Sequence, residues 1–212
     1  MLKINNLCKS FKHKDVLKNI NYTFKAGTIY CIQGKNGSGK TVFLKSICGL
    51  TKATSGTIEY DGKILNKDFS ILPSLGVIIE TPIFWKDKTG LETLEFLTSI
   101  KGNVKKEECI EALNKVGLRD VKNARIRKYS LGMKQRLAIA QAIVEKPEIL
   151  LLDEPTNSLD VDGVEIFQKI MLEEKARGTT ILIVSHVMDD IDQICDKKLI
   201  LSNGIFEEVN YQ

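Results

Sequence analysis

The feature that most constrains this chain is a glycine-rich loop placed between a short apolar segment and a helical pattern. The loop fits the pattern G-x-x-x-x-G-K-S/T and consists of Gly34, Lys35, Asn36, Gly37, Ser38, Gly39, Lys40 and Thr41. Residues 28–32 are typical of a buried strand, and residues 42–50 have the apolar spacing of a helix. A strand, a glycine-rich loop and a helix in this order predict an α/β fold that binds a nucleoside triphosphate.

Each part of this loop suits a phosphate ligand. Glycines let the backbone curl so that successive N–H groups point toward phosphate oxygens. The N-terminus of the helix that follows adds positive potential at the same place. We expect the ammonium group of Lys40 to reach the β- and γ-phosphates, and the hydroxyl of Thr41 to ligate Mg2+.

Composition indicates an ordinary globular chain. The 212 residues carry a net charge of +4 with scattered lysines, so we expect one domain and no nucleic-acid partner. The five cysteines form no C-x-x-C pair, which predicts neither a zinc site nor a disulfide framework and favours a reducing cytosol. The N-terminus lacks the apolar stretch of a signal peptide, and no apolar run approaches the roughly 18 residues of a membrane span. We therefore expect that the chain alone does not cross a bilayer.

The pattern along the chain changes twice. The first sixty or so residues read as β-rich, with an alternating segment at 16–24 and a hairpin turn at Asp61-Gly62. Helical patterns then dominate three segments: 91–100, 105–116 and 133–145. A strand–helix–strand pattern follows at 149–152, 161–176 and 180–184. A last hairpin is predicted at Asn203-Gly204.

These patterns predict a single domain over residues 1–212, of the P-loop NTPase type with a parallel sheet. The nucleotide core, with its N-terminal antiparallel β subdomain, comprises 1–81 and 147–212, and a helical insert occupies 82–146. Ligands of open α/β sheets bind at the carboxyl ends of the strands. Three predicted strands end there in reactive groups: the phosphate loop, Asp153-Glu154, and His186. That convergence is difficult to explain by packing.

The two carboxylates at the end of the apolar segment 149–152 suggest hydrolysis. We expect Asp153 to hold Mg2+, through water, opposite Thr41. We expect Glu154 to be the general base for the attacking water.

A second motif is Tyr-Ser-Leu-Gly-Met-Lys-Gln-Arg at residues 129–136. Ser130 is a predicted N-cap of a helix beginning at Met133. The apolar face of that helix is predicted to carry Leu137, Ala140, Ile143 and Val144. A helix N-terminus with a serine hydroxyl and a nearby glycine can bind an anion, although an ordinary capped helix also accounts for these residues.

The order and spacing of these motifs resemble the ATP-binding cassette (ABC) ATPases. The phosphate loop, the capped-helix motif, the apolar-Asp-Glu-Pro segment, Ser158-Leu159-Asp160 and His186 all match, across essentially the whole chain. The resemblance implies that two such chains pair head to tail. ATP would then lie between the phosphate loop of one chain and Ser130 and Gly132 of the other.

Further roles follow from the same resemblance. Asp160 is implied to lie across the dimer seam, and His186 to contact the γ-phosphate and orient the water with Glu154. The aromatic residue that stacks on adenine is matched best by Phe11, although a core role fits Phe11 nearly as well. His13 is expected to be a solvated turn residue.

Four positions depart from the family pattern. Glu80 stands where Gln is usual, and Lys35 stands where proline is frequent. A carboxylate about 6 Å from a phosphate charge is repelled by about 3 kcal/mol at an effective dielectric of 20, whereas Mg2+ attracts it. We therefore predict that Glu80 faces the metal, with a solvent-facing side chain as the alternative. Leu131 and Met133 replace the usual Gly and Gln, which predicts weaker contact with the partner's nucleotide.

Glu80 and the 129–136 motif resemble the branch that exports bacitracin and lantibiotics or gives immunity to them. The resemblance implies an ATP-hydrolysing subunit at the cytoplasmic face of the membrane that powers export of a peptide antibiotic or another amphipathic compound through a separate permease. The alternative is a regulatory ABC ATPase that docks on a membrane partner without moving cargo. Phe84 and Trp85 fit either a docking groove or burial under the insert.

Overall fold

A computed structural model describes residues 1–12, 14–186 and 189–208, so His13 lies outside the described residues. The strands are β1 (Leu2–Phe11), β2 (Lys14–Phe24), β3 (Ile29–Gln33), β4 (Ser55–Tyr60), β5 (Lys63–Ile64), β6 (Leu75–Ile78), β7 (Ile149–Asp153), β8 (Thr180–Val184), β9 (Lys197–Ser202) and β10 (Ile205–Glu208). The helices are α1 (Lys40–Ile47), α2 (Gly90–Ser99), α3 (Lys106–Lys115), α4 (Leu131–Ile143) and α5 (Val161–Ala176), with short 3-10 helices at Arg119–Val121, Ile126–Lys128 and Asp192–Ile194. The predicted α/β fold is confirmed, and both predicted hairpins form.

The central sheet has the strand order β10-β9-β3-β8-β7-β6. All its pairings are parallel except that of the edge strand β10 with β9. β7 and β8 are buried at every position, which explains why their sequences are continuous apolar runs. Because β3, β6, β7 and β8 run in the same direction, the segments that follow them emerge at one edge of the sheet.

A second, antiparallel sheet has the order β2-β1-β4-β5. Its core residues pack with α1 and one face of the central sheet, and the aromatic rings of Phe24, Tyr30, Phe43 and Phe206 form edge-on or tilted contacts there. The Tyr60 hydroxyl donates to the carboxylate of Glu148, which ties β4 to the start of β7. Burial, and then this bond, raise the pKa of Tyr60 above its usual range.

Two of the helices, α2 and α4, begin directly after residues that cap them. Thr89 caps α2 through a capping box, accepting from the Glu92 N–H at 3.1 Å while the Glu92 carboxylate accepts from the Thr89 N–H at 2.7 Å. α4 begins at Leu131, directly after its cap Ser130, and so one half-turn before the predicted start at Met133. The prediction placed the start too late because it followed apolar spacing rather than the cap.

α4 packs directly on the central sheet. A Cβ atom on Gly76 of β6 would lie 2.0 Å from the carbonyl oxygen of Ala142, so only glycine allows this approach. The predicted apolar face of α4 is buried in the same core cluster as β7 and β8. The helix that carries the 129–136 motif therefore packs on the strand that ends at Asp153 and on the strand that ends two residues before His186. Along the described residues, no helix has both the length and the apolar character that a bilayer span requires.

Candidate active site

A cavity of about 720 Å³ lies at the carboxyl edge of the central sheet. Lys40 and Thr41, which follow β3, line its wall. Asp153 at the end of β7, Glu154 directly after it, and Glu80 after β6 also line it. The sheet therefore brings together most of the residues that the sequence predicted to act on a nucleotide.

The phosphate loop is shaped by close approach of its backbone to β9. A Cβ on Gly34 would lie 2.4 Å from the carbonyl oxygen of Leu201, while Gly37 and Gly39 adopt positive φ values of 80° and 107°. The ammonium group of Lys40 donates to the carbonyl oxygens of Gly34 at 2.6 Å and Lys35 at 3.2 Å. This bonding holds the cation at the centre of the loop.

The Ser38 hydroxyl supplies a test of whether this loop fits a polyphosphate. Among the described residues, its oxygen is the one buried side-chain polar atom that has no hydrogen-bond partner. Buried polar groups are nearly always paired, so an unpaired hydroxyl inside a glycine cradle at a helix N-terminus fits an anionic ligand.

Thr41 and Asp153 meet next to this loop. The Thr41 hydroxyl donates to the Asp153 carboxylate at 2.6 Å. Burial raises the pKa of Asp153, with smaller contributions from the Glu154 and Glu80 charges, while the Thr41 bond and Lys40 oppose the rise. Mg2+ at phosphate sites is held by one or two protein oxygens, by phosphate oxygens and by water, so this pair fits the ion. The part of the chain that the structure describes contains no group of three or more ligands that would hold a metal unaided.

Glu154 and His186 are hydrogen-bonding neighbours. His186 Nδ1 lies 2.8 Å from Glu154 Oε2, and the His186 backbone N–H donates to the same oxygen at 3.3 Å. Glu154 adopts a left-handed backbone conformation, with a φ of 49°. His186 also lines a neighbouring cavity of about 800 Å³ on the other side of the phosphate loop. The carboxylate and the imidazole therefore lie together between the two cavities.

The 129–136 motif packs on the turn that contains Asp160. The Ser130 hydroxyl accepts from the Met133 N–H at 3.1 Å, which confirms Ser130 as the cap of α4. A Cβ on Gly132 would lie 2.8 Å from the Ser158 carbonyl oxygen. Ser130 and Gly132 are absent from the described lining of their own chain's cavity, although Leu131 is part of it.

Asp160 has an intrachain role that sequence reasoning missed. Its carboxylate caps α5 by accepting from the Gly163 N–H at 3.0 Å and accepts from the Arg136 guanidinium at 2.6 Å. The pKa of Asp160 is lowered, chiefly by the Arg136 bond. Gln135 was also missed: it is buried and donates to the Pro155 carbonyl oxygen at 2.8 Å. Asp160 directly before an apolar-periodic helix is the N-cap signal that could have identified the first role.

Phe11 is an exposed residue of the cavity wall and not a core residue. Its side chain is half-exposed, and the Lys9 ammonium lies 4.5 Å from the ring centroid. A stacking role for Phe11 stays a prediction.

Glu80 lines the cavity but pairs with a cation of the chain itself. Its carboxylate contacts the ammonium group of Lys45 in α1, and Glu80 has a φ of 63°. The sequence predicted that the Glu80 side chain faces either the metal or solvent, and neither prediction included this contact with Lys45. The metal role stays a prediction.

Comparisons with known proteins agree with this geometry. The family model described as "ABC transporter" matches residues 17–157. The chain is 45% identical to the ABC transporter ATP-binding protein YybJ of Bacillus subtilis (strain 168), over 98% of this chain and 95% of the relative. It is 40% identical to the bacitracin transport ATP-binding protein BcrA of Enterococcus faecalis, over 99% of this chain and 69% of the relative. It is 37% identical to the lantibiotic transport ATP-binding protein SrtF of Streptococcus pyogenes, over 92% of this chain and 84% of the relative.

Solved structures show the same fold. The ATP-binding subunit of an ABC transporter superposes with a TM-score of 0.87 at 26% identity, covering 99% of this chain and 90% of the other. A dimeric ATP-binding cassette in a post-hydrolysis state, bound to ADP and Pi, superposes with a TM-score of 0.85 at 25% identity, covering both chains fully. This chain belongs to the ABC transporter family and is one of its ATP-binding subunits.

Proposed function

We propose that this chain hydrolyses ATP with Mg2+ and works as a head-to-tail pair that drives a separate membrane permease. The single observation that carries the proposal is the meeting of the Thr41–Asp153 and Glu154–His186 pairs beside one phosphate loop. The first pair fits the metal and the second fits a base with an orienting imidazole.

The chemistry assigns a distinct task to each group. The loop N–H groups and Lys40 bind the phosphates, and Phe11 stacks on adenine. Thr41 and Asp153 hold Mg2+, which neutralises developing charge on the phosphates when it is bound. The Glu154 carboxylate takes a proton from the attacking water, and His186, fixed by its contact with Glu154, orients that water and the γ-phosphate.

Pairing of two chains completes the site in this proposal. Ser130 and Gly132 stand at the N-terminus of a 13-residue helix, where an anion is stabilised. Their absence from their own cavity lining is expected if they serve the other chain's nucleotide. The similar cassette that was solved as a dimer supports this arrangement. Asp160 would then act at the seam through its bond to Arg136, which links it to the Ser130 helix.

The paired mechanism predicts that ATP hydrolysis depends on protein concentration. In the dilute range the rate per chain should fall about tenfold for each tenfold dilution, because the fraction of paired chains follows mass action. Steady-state phosphate release over a wide range of chain concentrations measures this. A rate per chain that stays constant on dilution, with a monomer seen by light scattering, would contradict the pairing.

An exposed apolar surface is the proposed docking site of the permease. It consists of Ile83, Trp85, Phe96 and Ile100, all exposed, with the rings of Trp85 and Phe96 packed edge-on at 5.1 Å. Exposed apolar clusters of this kind mark interaction sites. It begins three residues after Glu80, so a conformational change at the nucleotide site would be transmitted to a partner bound there.

We propose export of a peptide antibiotic or another amphipathic compound because BcrA and SrtF are named for bacitracin and lantibiotic transport.

Ile83→Asp tests this docking site. Ile83 is 92% exposed, so the change should leave the Tm nearly unchanged and alter ATP affinity by less than about twofold. Copurification with the permease should be lost. Leu172→Asp, on a half-exposed position of α5, is the control and should copurify normally. Reconstitution of the wild-type complex in vesicles then separates transport from regulation by showing cargo flux or none.

A further inference from the structure

Three carboxylates line the cavity proposed to hold a polyphosphate: those of Glu80, Asp153 and Glu154. Two of them have uncharged or titratable partners, since Asp153 accepts from the Thr41 hydroxyl and Glu154 contacts His186. Glu80 is paired with a permanent cation, the ammonium group of Lys45. This pairing sets Glu80 apart from the other two acids.

Lys45 occupies a defined place relative to the phosphate loop. It lies one helical turn after Thr41 in α1, so the two side chains share a helix face. That face presents Thr41 to Asp153, at the end of β7, and Lys45 to Glu80, after the end of β6. β6 and β7 are hydrogen-bonded neighbours in which Ile78 pairs with Leu152. One helix face therefore contacts two acids that follow adjacent strands.

The charge of Glu80 acts on the site itself. The Glu80 carboxylate lines the same cavity as Asp153, and its negative charge is one of the smaller contributions that raise the pKa of Asp153. Nearby nucleotide phosphates would be repelled by the same field. The Glu80 side chain is 65% exposed and that of Lys45 is 28% exposed. Because ion pairs this exposed contribute little to folding, the effect of the pair should be seen mainly in ligand binding.

We propose that Lys45 is a positioning residue that holds the Glu80 carboxylate at the rim of the site and cancels its charge toward the nucleotide. The proposal rests on the proposed ATP-binding function. Lys45 makes a carboxylate compatible with a polyphosphate at a position where an uncharged amide would need no such partner. Glu80 itself has a left-handed backbone conformation and lies just before the exposed apolar surface that begins at Ile83.

The experiment measures ATP affinity without and with Mg2+ by calorimetry and by fluorescence of Trp85, the single tryptophan of the chain, five residues after Glu80. Lys45→Met should weaken metal-free ATP binding about tenfold, because Glu80 is left uncompensated. The loss should be smaller with Mg2+, since an added cation offsets the exposed charge. Lys45→Met combined with Glu80→Gln should return metal-free affinity to within about twofold of wild type. Lys45→Arg, which keeps the charge, should also stay within about twofold.

Control variants separate this effect from folding. Lys101→Met removes a comparable exposed ion pair with Glu145, between the turns that follow α2 and α4, and should leave ATP affinity unchanged. Glu80→Gln alone leaves Lys45 unpaired and should tighten metal-free binding about threefold. If thermal unfolding shows that Lys45→Met is not folded, Glu80→Gln alone tests the proposal.

Two results would overturn the inference. One is unchanged metal-free affinity in Lys45→Met or in Glu80→Gln. The other is a loss in Lys45→Met that Glu80→Gln does not restore, which would mean that Lys45 contacts the phosphates directly. Failure of the wild-type chain to bind ATP would instead refute the proposed function, so the two failures are distinguishable.

Discussion

Glu154→Gln should bind ATP about as well as the wild-type chain and hydrolyse it about 10²–10⁴-fold more slowly. The glutamine side chain has nearly the same shape and can keep the contact with His186, but its amide cannot accept a proton from water. Binding should be kept because the change removes a negative charge beside the phosphates. Single-turnover hydrolysis and ATP affinity, measured on the same preparation, separate the two effects.

A matched control makes this result specific. Glu145→Gln removes a glutamate that pairs with Lys101, outside the cavity, and should leave both quantities unchanged. Normal hydrolysis in Glu154→Gln would assign the base to another group, of which His186 is the nearest. A parallel loss of ATP binding would instead show that Glu154 holds the nucleotide.

Local signals predicted the elements that have strong ends and uniform periodicity. α5 was predicted at 161–176 from its helical pattern and is found there; Asp160, whose capping role was missed, caps its start, and Gly178, with a φ of 98°, follows its end. The buried strands β7 and β8 were predicted from apolar runs bounded by polar residues. The positive φ values of Gly37 and Gly39 agree with the curled loop predicted from its glycines, whereas the approach of Gly34 to Leu201 is a long-range contact that the loop sequence alone does not indicate.

Side-chain pairs between distant segments could not be predicted in this way. The Arg136–Asp160 bond spans 24 residues and the Lys45–Glu80 pair spans 35, and each forms only because the sheet order brings its two segments together. For Asp160, the resemblance directed attention to the dimer seam, although the carboxylate is already bonded within the chain. The role of Gly132 in an anion site stays a prediction, and its approach to Ser158 adds a packing requirement that no local pattern indicates.

Gly34→Ala should destabilise the chain and weaken ATP binding strongly. The new Cβ would lie 2.4 Å from the Leu201 carbonyl oxygen and 2.6 Å from Ser38 Oγ, so the loop backbone must move away from β9. Overpacking of this kind costs about 2–3 kcal/mol, or roughly 5–10 °C in Tm for a chain of this size. Displacement of two loop N–H groups from the phosphates should weaken ATP binding roughly 100-fold, at about 1.5 kcal/mol each. Thermal unfolding and calorimetry with ATP measure the two losses.

Gly37→Ala is the matched control because it places the same methyl group in the same loop without a collision. No atom lies within 4 Å of its new Cβ, and the remaining penalty is that of a non-glycine residue at a φ of 80°, about 1 kcal/mol. The loss in Gly34→Ala should therefore exceed that in Gly37→Ala both in Tm and in ATP affinity. Equal losses would mean that both variants lose stability and ATP affinity only through backbone conformation. The approach of the loop to Leu201 would then not help to shape the phosphate site.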